Sequence, residues 1–210
     1  MTRTSTFNAP RGRATEAHLE LVHAGTHITI RTAEIEELCR AEFEGVRPRA
    51  SSDDGRVQVE YPRFSLAELL RHAAHRAEIE LNPSVPWSLV FDGGLGQSSV
   101  DLRGLELRAL EIAGGAGDLR IALPAPQGVV RVRIGGGASK VAILHPNGTA
   151  VGLRVAGGAS RLAFDRQRYG AMGGETRLES HGAGEAAHRY EVEIEGGASE
   201  LTIAAEDEQG

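Results

Sequence analysis

A short segment recurs along this chain, and it restricts the fold more than any other feature. Five stretches align: Leu89–Val100 (LVFDGGLGQSSV), Leu110–Ile121 (LEIAGGAGDLRI), Val132–Ile143 (VRIGGGASKVAI), Leu153–Phe164 (LRVAGGASRLAF) and Val192–Ile203 (VEIEGGASELTI). The first four begin 21, 22 and 21 residues apart, and the fifth begins 39 residues after the fourth. The longer gap has room for one degenerate copy around Gly173–Leu178. A copy without the glycine pair, LELVHAGTHITI, occupies Leu19–Ile30. Repeats of this length mean stacked supersecondary units that bury their faces on their neighbours.

Within each copy apolar and polar residues alternate on both sides of the glycines. Period two reads as strands with one buried face. One expected inward row holds Leu19, Leu89, Leu110, Val132, Leu153 and Val192. A row beyond the turn holds Ile30, Val100, Ile121, Ile143, Phe164 and Ile203. A period near 21 residues accommodates two strands of about five residues and two corners. The expected corner residues are Gly93, Gly94, Gly114, Gly115, Gly136, Gly137, Gly157, Gly158, Gly196 and Gly197. Glycine there permits positive φ and close backbone approach. A phosphate-cradling loop would need a helix to start after the glycines. A strand pattern follows every pair instead.

The recurring V/I-x-GGAS/G-x-L-x-I unit resembles the bacterial toast-rack, or "putative adhesin", β-solenoid family. The stretch Leu81-Asn82-Pro83-Ser84-Val85-Pro86-Trp87 resembles that family too. The resemblance runs from about Leu19 to Ile203. It implies a bacterial domain similar to the C-terminal domains of cell-envelope stress regulators, and it carries no catalytic residues with it. The expectation is therefore an all-β, single-domain β-solenoid (β-helix-like) over residues 16–204. Residues 1–15 are expected to be a disordered tail and 205–210 a frayed end.

One segment breaks the pattern. Ser65–Arg76 (SLAELLRHAAHR) reads as a short helix or loop excursion: Ser65 and Glu68 match a capping box, and Arg71, His72, His75 and Arg76 crowd its last turn. It is expected to cover a core edge. The sharper reading makes it a basic amphipathic helix in peripheral contact with a membrane or a partner. Between Leu19 and this segment, Ala41–Glu44 and Arg56–Tyr61 alternate and read as a strand pair, with an Asp54-Gly55 turn.

Composition limits function. The 23 Lys+Arg against 29 Asp+Glu give a net charge of -6, which argues against nucleic-acid binding. The single cysteine, Cys39, excludes an internal disulfide and fits a reducing, cytoplasmic setting. No apolar run is long enough to cross a membrane as a helix. His72 and His75 lack a third ligand, so no metal or cofactor is expected. No G-x-S-x-G, H-E-x-x-H or P-loop pattern occurs, and no enzyme is expected.

Charge is patterned along the copies. Arg131, Arg133, Lys140, Arg154 and Arg161 would form a cationic stripe for an anionic partner. The simpler reading pairs them across strands with acids such as Glu111 and Asp118. If copies stack in chain order, Arg133 lies beside Arg154 about 4.8 Å away. The function expected is a non-catalytic interaction domain for a protein partner, monomeric or a small homo-oligomer. The competing reading is a self-assembling, bactofilin-like scaffold, weakened by Glu191, Glu193, Glu195 and Glu200 on the last copy.

Overall fold

The computed structural model describes residues 4–62 and 76–206. The chain is all-β, and no helix of a full turn occurs among the described residues. The strands form two hydrogen-bonded series joined through the glycine corners.

The first series consists of strands that precede a corner. In spatial order it runs β5 (Arg49–Asp53), β6 (Arg56–Glu60), β2 (Ala17–Thr26), the first half of β8 (Pro86–Asp101), β9 (Glu106–Ile112), β11 (Val129–Ile134), β17 (Arg189–Ile194), β13 (Ala150–Val155) and β16 (Thr176–Glu179). The second series runs β1 (Thr4–Ala9), β4 (Cys39–Glu44), β7 (Arg76–Leu81), β3 (Ile28–Thr32), the second half of β8, β10 (Ala116–Ala122), β12 (Ala138–His145), β18 (Ala198–Ala205), β14 (Ala159–Phe164) and β15 (Gln167–Met172). Pairing is parallel in the middle and antiparallel at both ends.

The glycine copies pair with one another in register, for example Leu89 with Leu110 and Ile121 with Ile143. Inward residues are almost fully buried: Leu19, Leu89, Val132 and Ile194 are each 0% exposed. Period-two burial in β11 and β17 follows directly from VVRVRI and RYEVEI. Ser98, which interrupts the apolar row, is buried as well. Its hydroxyl donates to Gly96 O at 2.8 Å and accepts the Ile28 N–H at 3.1 Å.

Four expectations need correction. The copies do not stack in chain order: Val192 lies between Val132 and Leu153, paired with both. The last copy is therefore interior and its acids guard no edge. Residues 173–178 do not make a degenerate copy; β15 and β16 run antiparallel to β14 and β13. The amino-terminal stretch is not a free tail, because Thr4–Ala9 pairs along β4 and turns Ala9 into the core. Cys39–Glu44 and Arg56–Glu60 are strands but do not pair with each other. β4 joins β7, whereas β6 joins β2 and forms a hairpin with β5 through Asp54-Gly55. The expected helix at 65–76 falls outside the described residues except for Arg76, which opens β7 as an exposed strand residue.

The corner glycines work by close approach. Gly157, Gly196, Gly136 and Gly114 each donate a backbone hydrogen bond to the next, and Gly114 donates to Gly93 O at 2.7 Å. Only Gly93 and Gly158 among the ten corner glycines have positive φ. The left-handed conformation instead falls three or four residues later, on residues with side chains. His27, Gln97, Asp118, Lys140, Glu200 and Arg161 have φ between 48° and 62° and stack as neighbours. Each is left out of the ladder together with its counterpart on the next strand, so the register is kept and neighbouring strands turn in step after the corner. Asparagine tolerates this conformation better than glutamine. Gln97→Asn is therefore expected to raise stability by up to about 1 kcal/mol, read as a higher urea midpoint at unchanged slope.

The segment Leu81–Trp87 is a buried bracket. Asn82 Nδ2 donates to Ile35 O (2.5 Å) and Glu37 O (3.0 Å), and its Oδ1 accepts the Ser84 N–H at 2.9 Å. Trp87 Nε1 donates to Asn82 O at 2.8 Å. These bonds satisfy the polar groups of a loop that runs beneath buried apolar strands.

Candidate functional site

Outward residues of the first series make one continuous charged row. Across the strands it reads Gln58, Glu20, Val90, Glu111, Arg133, Glu193, Arg154 and Arg177. The interposed β17 separates Arg133 from Arg154, so the two guanidinium groups do not meet. Arg133 is bonded to Glu111 on one side and to Glu195 on the other, at 2.6 Å. Glu195 first, then Glu111, holds the Arg133 guanidinium above its ordinary pKa. Arg154 reaches Glu175 at 3.2 Å, and Arg177 binds the same carboxylate. Arg177 first, then Arg154, holds Glu175 below the usual carboxylate range.

The other sequence-singled cations fall into place around this row. Arg131 is 78% exposed in its side chain and lies 3.7 Å from Glu191. Lys140 stands in the left-handed ladder between Asp118 and Glu200. Arg161 binds Glu200. The cationic stripe is thus an alternating one, with an acid beside each arginine, and the cross-strand pairing expected for Glu111 and Arg133 is present. Arg71, His72 and His75 lie outside the described residues. Arg76 sits in the second series, away from the stripe.

In the sequence Glu195 is read only as an acid at a stack end and Glu175 carries no assigned role, although both complete arginine pairs. The available signal is charge: an acidic copy between two arginine-bearing ones pairs better than the two arginine copies side by side, and the fifth copy is the acidic one. His145 belongs to no sequence motif. It is 3% exposed and lines a cavity of about 520 Å³ with Asp165, Gln167, Tyr169 and Ser180. Among the described residues no group of three His, Cys, Asp or Glu side chains is placed to hold a metal ion. No helix among them is long and apolar enough to cross a membrane.

Residues 1–144 match the family model Toast_rack_N, the N-terminal domain of toast_rack, DUF2154. The chain belongs to the toast-rack family. A crystal structure of a "putative cell adhesion protein" from Clostridium sporogenes ATCC 15579 is similar at a TM-score of 0.70 and 17% identity, covering 98% of this chain and 100% of that one. A "putative adhesin" from Bacteroides fragilis NCTC 9343 aligns over 98% of this chain and 97% of its own, at 10% identity and a TM-score of 0.41. No curated protein matches the chain. The Clostridium match extends the toast-rack architecture past residue 144, through the interposed fifth copy.

Proposed function

We propose that this toast-rack protein is a non-catalytic interaction domain, a β-solenoid whose outer charged rows bind a protein partner. The observation that carries this reading is the first-series row. It is long, set in register by backbone hydrogen bonds, and its charges are held by ion pairs from Glu111 to Glu175. Extended faces of stacked repeats commonly serve as binding surfaces. The Clostridium structure, described as a "putative cell adhesion protein", shares the fold, which is in keeping with an interaction role. The link to cell-envelope stress signalling and the cytoplasmic location belong to the same proposal.

The scaffold reading finds less support. The outermost strands β1, β5, β15 and β16 run antiparallel to their neighbours, so a second copy added at either end would not continue the parallel ladder of the interior. Light scattering across a concentration series tests this part. A constant monomer or small oligomer is expected, and mass that grows with concentration would overturn it. Affinity capture with the wild type and with Arg154→Glu tests the surface. A partner that needs the row is lost from the variant; equal capture would remove this face from consideration.

A further inference from the structure

The left-handed ladder carries alternating charge. From β10 to β14 it reads Asp118, Lys140, Glu200 and Arg161: minus, plus, minus, plus, one residue per strand. Within the chain this row is only half paired. Arg161 binds Glu200. Asp118 and Lys140 are exposed neighbours on adjacent strands, yet neither makes an ion pair among the described residues. Read from its other end the row is plus, minus, plus, minus. It is the complement of its own reversal.

A two-fold axis performs that reversal. Placed parallel to the strands and between β12 and β18, it lays this face on the same face of a second copy with the strand order inverted. Asp118 then meets Arg161 of the second copy, and Lys140 meets its Glu200. A two-fold running along the stack would instead set Asp118 on Asp118 and Lys140 on Lys140, so the charges select one orientation. The flanking rows fit the same axis independently. One outward row reads Ser99, Arg120, Ala142, Thr202, Ala163 and Arg168. Inverted about the same midpoint, Arg120 lies over Ala163, Arg168 over Ser99 and Ala142 over Thr202. Each long side chain meets a short one, and no arginine meets an arginine. The row on the other side is Gly117, Ser139, Ser199 and Ser160, which has nothing tall enough to hold two copies apart. A shallow groove of about 640 Å³ runs along these serines and Gly137.

We propose that this face of the second series is a homodimer interface closed by that two-fold. Six strands spaced about 4.8 Å apart, each contributing a length like the seven residues of β10, give a footprint of roughly 650 Å² per copy. The total of about 1,300 Å² falls at the lower end of standard-size protein interfaces. The ladder fixes orientation, and the small-residue rows on either side let the copies approach. A two-fold uses the face once per copy, so assembly stops at two. The face lies apart from the first-series row of the proposed function, and either can fail without the other.

Analytical ultracentrifugation of the whole protein in low salt is expected to give twice the monomer mass and nothing larger. Lys140→Glu and Glu200→Lys, made separately, each set like charges across the two-fold and should weaken self-association at least tenfold. Mixed in equal amounts, these two variants are complementary at all four ladder positions and should form a heterodimer. Mixing cannot repair a pair lost within one chain, so recovery of the dimer reports contact between copies. Ala163→Arg, which alters no ladder charge, would set an arginine over Arg120 and should also give monomers. Lys140 is the only lysine, so an amine-reactive cross-linker should join the wild-type copies through Lys140 on each. A wild-type monomer in low salt, a dimer that survives both single charge reversals, or a variant mixture that stays monomeric would each overturn the proposal. A dimer whose Lys140 residues do not link would overturn it too, because the interface then lies on another face.

Discussion

Gly196→Ala is expected to lower stability by about 3 kcal/mol or more and to reduce the melting temperature by roughly 10 °C. A methyl on Gly196 would lie 2.7 Å from Gly137 N and 2.8 Å from Gly136 C and O. All three are backbone atoms of a hydrogen-bonded ladder, so no side chain can swing aside. Gly196 also accepts from Gly157 and donates to Gly136, so the strain reaches neighbours on both sides. Gly170→Ala is the control, since a methyl there meets nothing within 4 Å. The same experiment reports on strand order. Were the fifth copy at the end of the stack, one side of Gly196 would be open and alanine would be better tolerated. Thermal melts of the two variants within a degree or two of each other would refute the interior placement.

Stability is expected to fall steeply above pH 9. Burial, with a lesser contribution from Glu80, pushes the Cys39 thiol up from 9.0 to about 12. Burial likewise pushes Tyr61 from 10.0 to about 12, and raises Tyr190, whose hydroxyl donates to Pro124 O at 2.7 Å. Above pH 9 the unfolded chain releases the thiol proton, and above pH 10 the phenol protons, while the folded chain keeps them. The folded state then binds more protons, so its stability decreases as pH rises. Each group contributes about 1.4 kcal/mol per pH unit within its window, which amounts to a loss of roughly 5 to 6 kcal/mol by pH 11. Urea unfolding followed through Trp87 fluorescence at pH 8 to 11 measures it. In Cys39→Ala the decline should begin one unit later. A flat profile to pH 11 would show that these hydroxyl and thiol groups reach solvent in the folded chain. A thiol reagent at pH 8 should also leave Cys39 unmodified until urea unfolds the protein.

Strand positions were legible because alternation is a local property: VRVRI or YEVEI buries one face whatever lies beside it. Corner positions were legible from the glycine pairs. The reason for the glycines was half legible, since close approach matters at Gly114, Gly136, Gly157 and Gly196 while positive φ sits on Lys140 and its counterparts. Nothing in a lysine or glutamate announces a left-handed residue; the stacking of equivalent corners imposes it. Spatial order was not legible from the apolar pattern, because every copy has nearly the same inward residues and each could sit beside any other. Outward charge breaks that degeneracy, through Arg133 and Arg154 with Glu193 between them. The β1 strand escaped notice because Thr4–Ala9 has few apolar residues and gains its order from β4.

The position of β17 and β18 also bears on how the chain reaches its native state. During synthesis, Val129–Ile134 and Ala150–Val155 leave the ribosome well before Arg189–Ile194, the strand that lies between them. Pairing those two earlier strands directly would be quick and sterically reasonable, and it would be wrong. The nascent protein must hold that slot open, or release a premature pairing, until the last copy arrives. Such long-range closure makes folding slow and leaves unpaired strand edges exposed in the meantime. A premature pairing of those strands would bring Arg133 beside Arg154, whereas the native order places Glu193 between them.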